Sequence, residues 1–434
     1  MKCYPSLLVQ ICVAFFASTP LVATPQIEGL YPVKVQSFKE STDDLKFLEK
    51  LLQGVDIVGL GESVHASGGF YDMKFRVIRF LVEKMGFRAV AFELGWSEAN
   101  VLKAYVDNPQ LPLDAVKNVF KAHPTFNDGE FVAFLNWLRE RNQNHSDVKE
   151  KVYIFGTDVQ FQSREFYNVI EYYVKQVRRA HPDLIPLVDD LQKNCLGIYN
   201  LHWEYDACNR QTDLKFPNQL DQYNSACLSA TQHLQSMNLK DFPDSGVFAK
   251  GLFASHEFLY HCAKDQDVQG ENGYLARDLG SKDLFEHIFE NINHSRKTVV
   301  WYHNAHIAYT AQYFFGHETP KKMLGGLLRE KYKSRYFPIG LFAYKTEINW
   351  PETKEPPISP TPSEDSLEAL LHKQAFPAFM LDLKHNALLP PGKKIKNYLI
   401  AGGDFVSKNP ETRLNDDFAA ILFLQESRPT KRLP

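Results

Sequence analysis

The stretch VDIVGLGESVHASGGFYDMKFRVIRFLVEKMGFRAVAFELG, Val55 to Gly95, decides the fold class. Residues 55–61 are an apolar strand-like run, and Ser67-Gly68-Gly69 marks a turn. Phe70, Met73, Val77, Phe80, Leu81 and Met85 then recur at helical spacing until Gly86, and a second apolar run ends on Glu93. Strand, helix and strand in that order predict a βαβ unit, whose right-handed crossover leaves both strand ends pointing the same way.

The same punctuation recurs downstream. VYIFGTD closes on Asp158 and TVVWYHN on His303, as VDIVGLGE closes on Glu62 and RAVAFELG on Glu93. As neighbouring parallel strands, these segments gather Glu62, Glu93, Asp158 and His303, with His65 and His306 close by, at the carboxyl ends of one sheet. Open α/β sheets place their sites there. The expected architecture is α/β: a central, mostly parallel sheet flanked by helices.

Working outward, residues 40–53 read as a short helix with Ser41 or Thr42 as N-cap, and EFVAFLNWLRERN (130–142) as an amphipathic helix. Strand character returns at 298–302, 336–344, 397–401 and 418–424, while the proline-rich 351–362 is a loop. Before that return, over about 164–290, the pattern is helical without a convincing buried strand, a helical insertion or cap. No internal repeat is evident.

Composition sets the class. With 434 residues, 44% hydrophobic and 23% charged, the chain can bury a large core, and a formal charge of −3 gives no reason to expect nucleic acid or acidic lipid as partners. Lys2 followed by an apolar stretch from Leu7, with small residues near Ala23, reads as a secretory signal peptide over 1–23, and no other run could span a bilayer. Removing that segment leaves Cys195, Cys208, Cys227 and Cys262, an even number in an exported chain. One or two disulfides are expected, and three full pairings remain open.

Chemistry concentrates in G-E-S-V-H, Gly61 to His65. A carboxylate three residues before an imidazole on a strand-to-loop turn can fix its tautomer while the imidazole takes a proton from water; alternatively, Glu62 caps the turn and His65 is merely exposed. Glu93, after buried-looking residues, must be paired or carry a raised pKa, as an acid, a base, an orienting partner or a salt bridge. Asp158 has a supporting role or simply terminates a strand. His303 and His306, H-x-x-H, could chelate metal with Glu62 or Glu93, or hold and polarise a carbonyl without one. There is no G-x-S-x-G elbow, P-loop or dinucleotide fingerprint. H-E-x-x-x-H at His256 is one residue too long for a zincin, its two histidines lying about 140° apart on a helix.

GLGESVHASGGFYDMKFRVIRFLVEKMGFRAVAFELGWSEAN resembles the erythromycin esterase family, in G-E-x-x-H, the helix with a basic residue and the strand ending Phe-Glu. The likeness continues through WLRERN (137–142), VYIFGTDVQ (152–160), VVWYHNAHI (299–307) and FAAILFL (418–424), spanning nearly all the chain after residue 23. It implies that His65 is the general base activating water for attack on an ester, accompanied by Glu62 and Glu93. His303 and His306 match the H-N-A-H pair. Lys74 falls where macrolide-cleaving members have arginine, losing the planar fork that grips a carbonyl bidentately. Gly69 stands where an acidic residue is common, which implies one charge fewer at the rim.

The resulting expectation is a secreted or periplasmic hydrolase that opens an ester or lactone without metal or cofactor. His65, Glu62, Glu93 and His303 are catalytic, and Lys74, His306 and Asp158 face the substrate. Two other classes stay open: a metal-dependent hydrolase built on the same cluster, and a non-catalytic exported protein that holds a small, haem-like molecule.

Overall fold

A computed structural model describes residues 27–159, 178–195, 217–237, 245–265, 271–293, 296–349, 361–401 and 406–433, apart from positions 36, 180, 318, 398, 409 and 410 and residues 402–405. The expected signal segment, Cys208 and most of the proline-rich loop lie outside the described residues.

One sheet carries β1 (Leu30–Pro32), β2 (Ile57–Leu60), β3 (Ala89–Gly95), β4 (Tyr153–Asp158), β5 (Thr298–Trp301), β6 (Tyr336–Thr346), β7 (Ala378–Asp382) and β8 (Ala420–Ser427). Their spatial order is β1-β7-β8-β6-β2-β5-β3-β4. β7 is antiparallel to both its neighbours, and the other pairings are parallel. The mostly parallel α/β sheet is therefore as the sequence predicts. The short antiparallel edge, β1 and β7, is an addition to that reading.

The helices used below are α1 (Gly68–Lys84), α2 (Trp96–Asp107), α3 (Gly129–Gln143), α4 (Ile185–Cys195), α5 (Pro217–Ser236), α6 (Ser245–Asp265), α7 (Glu271–His287), α8 (Asn304–Ile307) and α9 (Leu324–Tyr332). They cover both faces of the sheet, which explains why its strands read as unbroken apolar runs rather than alternating ones. Successive side chains still part company: Val299 and Trp301 join the core containing α1 and α3, while Val300 and Tyr302 join the one containing α6 and α9. In the first core Phe75 stacks on Phe134 at 4.2 Å between centroids, with Trp301 5.0 Å from Phe75.

Two local expectations change. Residues 397–401 contribute only Leu399–Ala401, paired with Val406–Lys408 in a separate ribbon outside the main sheet. The helix expected over 40–53 is a 3₁₀ turn, Asp43–Leu45, followed by a single helical turn, Leu48–Leu51. Ser41 Oγ accepts from the Asp43 N–H at 3.2 Å, whereas the Thr42 side chain makes no cap bond. Gly69 is buried, and a Cβ there would lie 2.5 Å from Ser427 Oγ.

The described parts of 164–290 are helical, α4 to α7. Cys195 at the end of α4 is disulfide-bonded to Cys227 in α5, and Cys262 is also disulfide-bonded. No described helix is long and apolar enough to cross a membrane.

Candidate active site

Chain topology brings the candidate residues together. From β2 the chain reaches β3 by way of α1, two places along the sheet, and from β5 it crosses back over β2 to β6. The helix after β2 packs in one core and those after β5 in the other, so the connections leave the sheet on opposite faces. Such a switch point is where this architecture opens a binding crevice. The rings of His65, after β2, and His303, after β5, meet edge to face there, 5.2 Å apart.

His65 is the most accessible of the three site imidazoles, its side chain 19% exposed. Its Nδ1–H donates to Glu62 Oε1 at 2.9 Å, because a carboxylate can only accept. That leaves Nε2 as the basic atom. Burial lowers the His65 pKa below the ordinary imidazole value, with Arg277 in the same sense and Glu93 opposing, so the ring is neutral at physiological pH. The next residue, Ala66, has φ +57°, a left-handed conformation that costs a non-glycine residue about 1 kcal/mol. Its carbonyl accepts from the N–H groups of Asn349 and Thr430, at 3.1 and 3.4 Å, which hold the turn from two distant segments.

Lys74 lies behind Glu62 rather than facing the crevice. It is fully buried on α1, its Nζ contacts Glu62 Oε2, and it sits 4.2 Å from the Trp301 ring centroid. Burial pushes its ammonium well below the usual lysine value, so its charge depends on carboxylate company. The substrate-binding role expected for Lys74 gives way to a supporting one, because its ammonium is buried against Glu62, the Trp301 ring and the Tyr302 carbonyl.

His303 also turns inward. Its Nε2–H donates to the Ser63 carbonyl at 3.0 Å, and its Nδ1 caps α8 by accepting from Ala305 N–H at 3.2 Å. Burial first, and His65 second, lower its pKa to about 3. With both ring nitrogens engaged, His303 holds the loop beneath His65 instead of offering a second base. Asn304 fastens the same junction: its N–H donates to Glu62 O at 2.8 Å and its side-chain amide pairs with Leu341. Gly61 makes that approach possible, since a Cβ there would fall 2.1 Å from Asn304 Oδ1.

Glu93 sits on an irregularity in β3. Phe92 opposes Gly156 and Gly95 opposes Asp158, so β3 spends one residue more than β4 in this interval and the carboxylate is re-aimed. Gly156 is required opposite it: a Cβ would lie 2.3 Å from Leu94 O. Glu93 Oε2 accepts from His303 N–H at 2.7 Å and Oε1 from Arg277 Nη2 at 2.8 Å. Burial would raise its pKa, but His306, His65, Arg277 and His303 together outweigh that and bring it to about 2. Of the alternatives the sequence left, the paired carboxylate is the one realised.

Arg277, on α7, completes the cluster. It grips Asp158 bidentately, Nε to Oδ1 at 2.8 Å and Nη2 to Oδ2 at 2.7 Å, which places Asp158 as an anchor for the guanidinium rather than a substrate contact. His306 is likewise occupied, with Nδ1 on Asp278 Oδ1 at 2.7 Å and Nε2 3.3 Å from Arg277 Nη1. Glu93, Asp158 and His306 thus converge on Arg277. No group of three or more His, Cys, Asp or Glu suited to a metal ion occurs among the described residues.

A family model described as erythromycin esterase matches residues 82–427. The chain belongs to the erythromycin esterase family. It is 25% identical over 363 residues to a putative hydrolase, YbfO, of Bacillus subtilis (strain 168), covering 80% of this chain and 78% of that one. It is 24% identical over 339 residues to erythromycin esterase type II of Escherichia coli, covering 74% and 77%. In fold it is similar to a succinoglycan biosynthesis protein, with TM-score 0.74, 20% identity and 93% and 96% of the two chains covered. It also matches a mutant erythromycin esterase, EreC, in its open conformation, with TM-score 0.67, 17% identity and 93% and 99% covered. Membership supports hydrolase chemistry of the esterase type and a small-molecule substrate.

Within this erythromycin esterase family chain, the model match includes Glu93, Asp158, Arg277, His303 and His306, whereas Glu62, His65 and Lys74 precede it. The fold nonetheless brings all of them to the same strand ends. No motif in the sequence marks Arg277 and Asp278. They occupy a helix whose buried positions include Gly273, Arg277, Asp278, Gly280 and Ser281, so no clean apolar stripe marks its inward face. Adjacent opposite charges on a helix ordinarily read as solvated surface.

Proposed function

We propose that this protein hydrolyses a carboxylic ester or lactone with water activated by His65, without a metal. The observation that carries this reading is the Glu62–His65 pair: the Nδ1–H bond to Glu62 leaves Nε2 basic on a partly exposed ring, while the ring nitrogens of His303 and His306 are engaged by other groups. Water attacks the carbonyl carbon while its proton passes to Nε2. Collapse of the tetrahedral adduct breaks the bond to the leaving oxygen, which takes the proton back from the imidazolium. Acid and alcohol result, or a hydroxy acid from a lactone.

The neighbours of the pair support this role. Lys74 contacts the far oxygen of Glu62, and Glu93, held as a carboxylate, supplies negative potential that favours the imidazolium formed during reaction. Macrolide ring opening is one candidate, by analogy with the Escherichia coli relative. Export to the periplasm or medium is proposed from the apolar N-terminal stretch and the Cys195–Cys227 disulfide.

The test is hydrolysis of a panel of macrolides and simple acyl esters by the purified protein, with and without chelator. Turnover insensitive to chelator is expected. Loss of turnover on chelation, restored by a metal, would replace this mechanism with a metal-dependent one; a retained chromophore with no turnover of any ester would favour a binding protein. The acid limb of log kcat/KM against pH gives a further check. Burial lowers the His65 pKa, so activity should persist below pH 6.5 and fall only as the ring protonates at a lower pH. An acid limb at or above 6.5 would contradict that environment.

A further inference from the structure

α7 contributes two adjacent charged residues to the cluster, and their bonds fix one another's direction. Asp278 is fully buried; its Oδ2 accepts from Leu324 N–H at 2.7 Å, at the start of α9, and its Oδ1 faces His306 Nδ1 at 2.7 Å. A carboxylate only accepts, so His306 carries its proton on Nδ1. Arginine only donates, so Nε2, 3.3 Å from Arg277 Nη1, must accept. The neutral Nδ1–H tautomer satisfies both neighbours. Glu93 Oε1, 3.5 Å from Nε2, is the competing group, and it already accepts from Arg277 Nη2. The remaining faces of the ring are turned to Tyr274 and Tyr302, with centroids at 6.1 and 5.8 Å.

We infer that Asp278 is a positioning residue of the hydrolytic centre: it locks His306 in the Nδ1–H tautomer, so that Nε2 steadies the Arg277 guanidinium that holds Glu93 and Asp158. The order Asp278, His306, Arg277, Glu93 ties α7 to the ends of β3 and β4, and Leu324 ties the same carboxylate to α9. The part of this inference that concerns activity rests on the hydrolase reading above. The tautomer does not.

Asp278→Asn is the diagnostic change. Asparagine keeps the shape but has a single acceptor oxygen for two donors, His306 Nδ1–H and Leu324 N–H. Turning its amide toward the ring forces the proton onto Nε2, against the N–H of Arg277. In ¹⁵N-histidine-labelled wild-type protein, the His306 signals, assigned by their loss in His306→Gln, should show a protonated Nδ1 and an unprotonated Nε2. A proton on Nε2, or on both nitrogens at neutral pH, overturns the inference whatever the activity. In Asp278→Asn the ring pattern should change, and kcat for an ester used by the wild type should fall about 10- to 100-fold, as for a sub-ångström to ångström misplacement, with KM altered less than about threefold. Unchanged kcat in that folded variant removes Asp278 from the mechanism. Failure of the wild type to hydrolyse any ester counts against the hydrolase reading alone, and the ring signals still decide the tautomer.

Discussion

His65→Ala is expected to lower kcat/KM for any ester the protein hydrolyses by about 10²- to 10⁴-fold, the range a positioned general base contributes. Stability should change by less than about 1 kcal/mol, because the ring is the partly exposed member of its cluster and lies on a loop. Its loss leaves no lone buried charge, since Glu62 retains Lys74. The combination matters more than either number. Truncation of a buried structural histidine would damage folding and activity together, whereas removal of a base damages only the chemistry. Steady-state kinetics beside urea unfolding separates the two, and turnover unaffected by the substitution would take His65 out of the reaction.

The sequence made the central sheet legible because strands covered on both faces are apolar throughout and stop abruptly where they emerge. Val55 to Glu62 and Thr298 to His303 could hardly be read otherwise. β1 and β7 are illegible for the opposite reason: three and five residues, at the antiparallel edge, give too little pattern to separate from loop. In the site, local spacing found Glu62 with His65, three residues apart and bonded as expected. Spacing could not reveal what each group faces. Lys74, His303 and His306 looked available because their partners, Glu62, Ser63 and Asp278, are fixed only by tertiary packing. Arg277 was hidden by the same fact, as its carboxylates are 184 and 119 residues away in sequence.

Arg277→Met should be the most destabilising single change in the site. The substitution keeps length and apolar bulk but leaves Glu93 and Asp158 without the cation between them, and breaking a buried pair in this way costs about 3–5 kcal/mol. The dependence on pH gives the cause away. In the wild type the Glu93 pKa is depressed to about 2, so its contribution to stability is present above the unfolded carboxyl value, about 4.3, and fades as pH falls toward 2. Without Arg277 the attraction that offsets burial is weakened and the Glu93 pKa rises. Protonation then relieves the variant at a pH where the wild type still holds its ion pairs. The stability gap measured by urea unfolding should therefore be widest near pH 7 and narrow toward pH 4. A gap independent of pH would mean that the loss is one of packing. Arg277→Lys separates the contributions further: it restores the charge but not the fork that meets two oxygens of Asp158, so it should recover only part of the stability, and kcat less than stability. A lysine variant equal to wild type in both would show that charge alone, and not the geometry imposed by α7, holds the ends of β3 and β4.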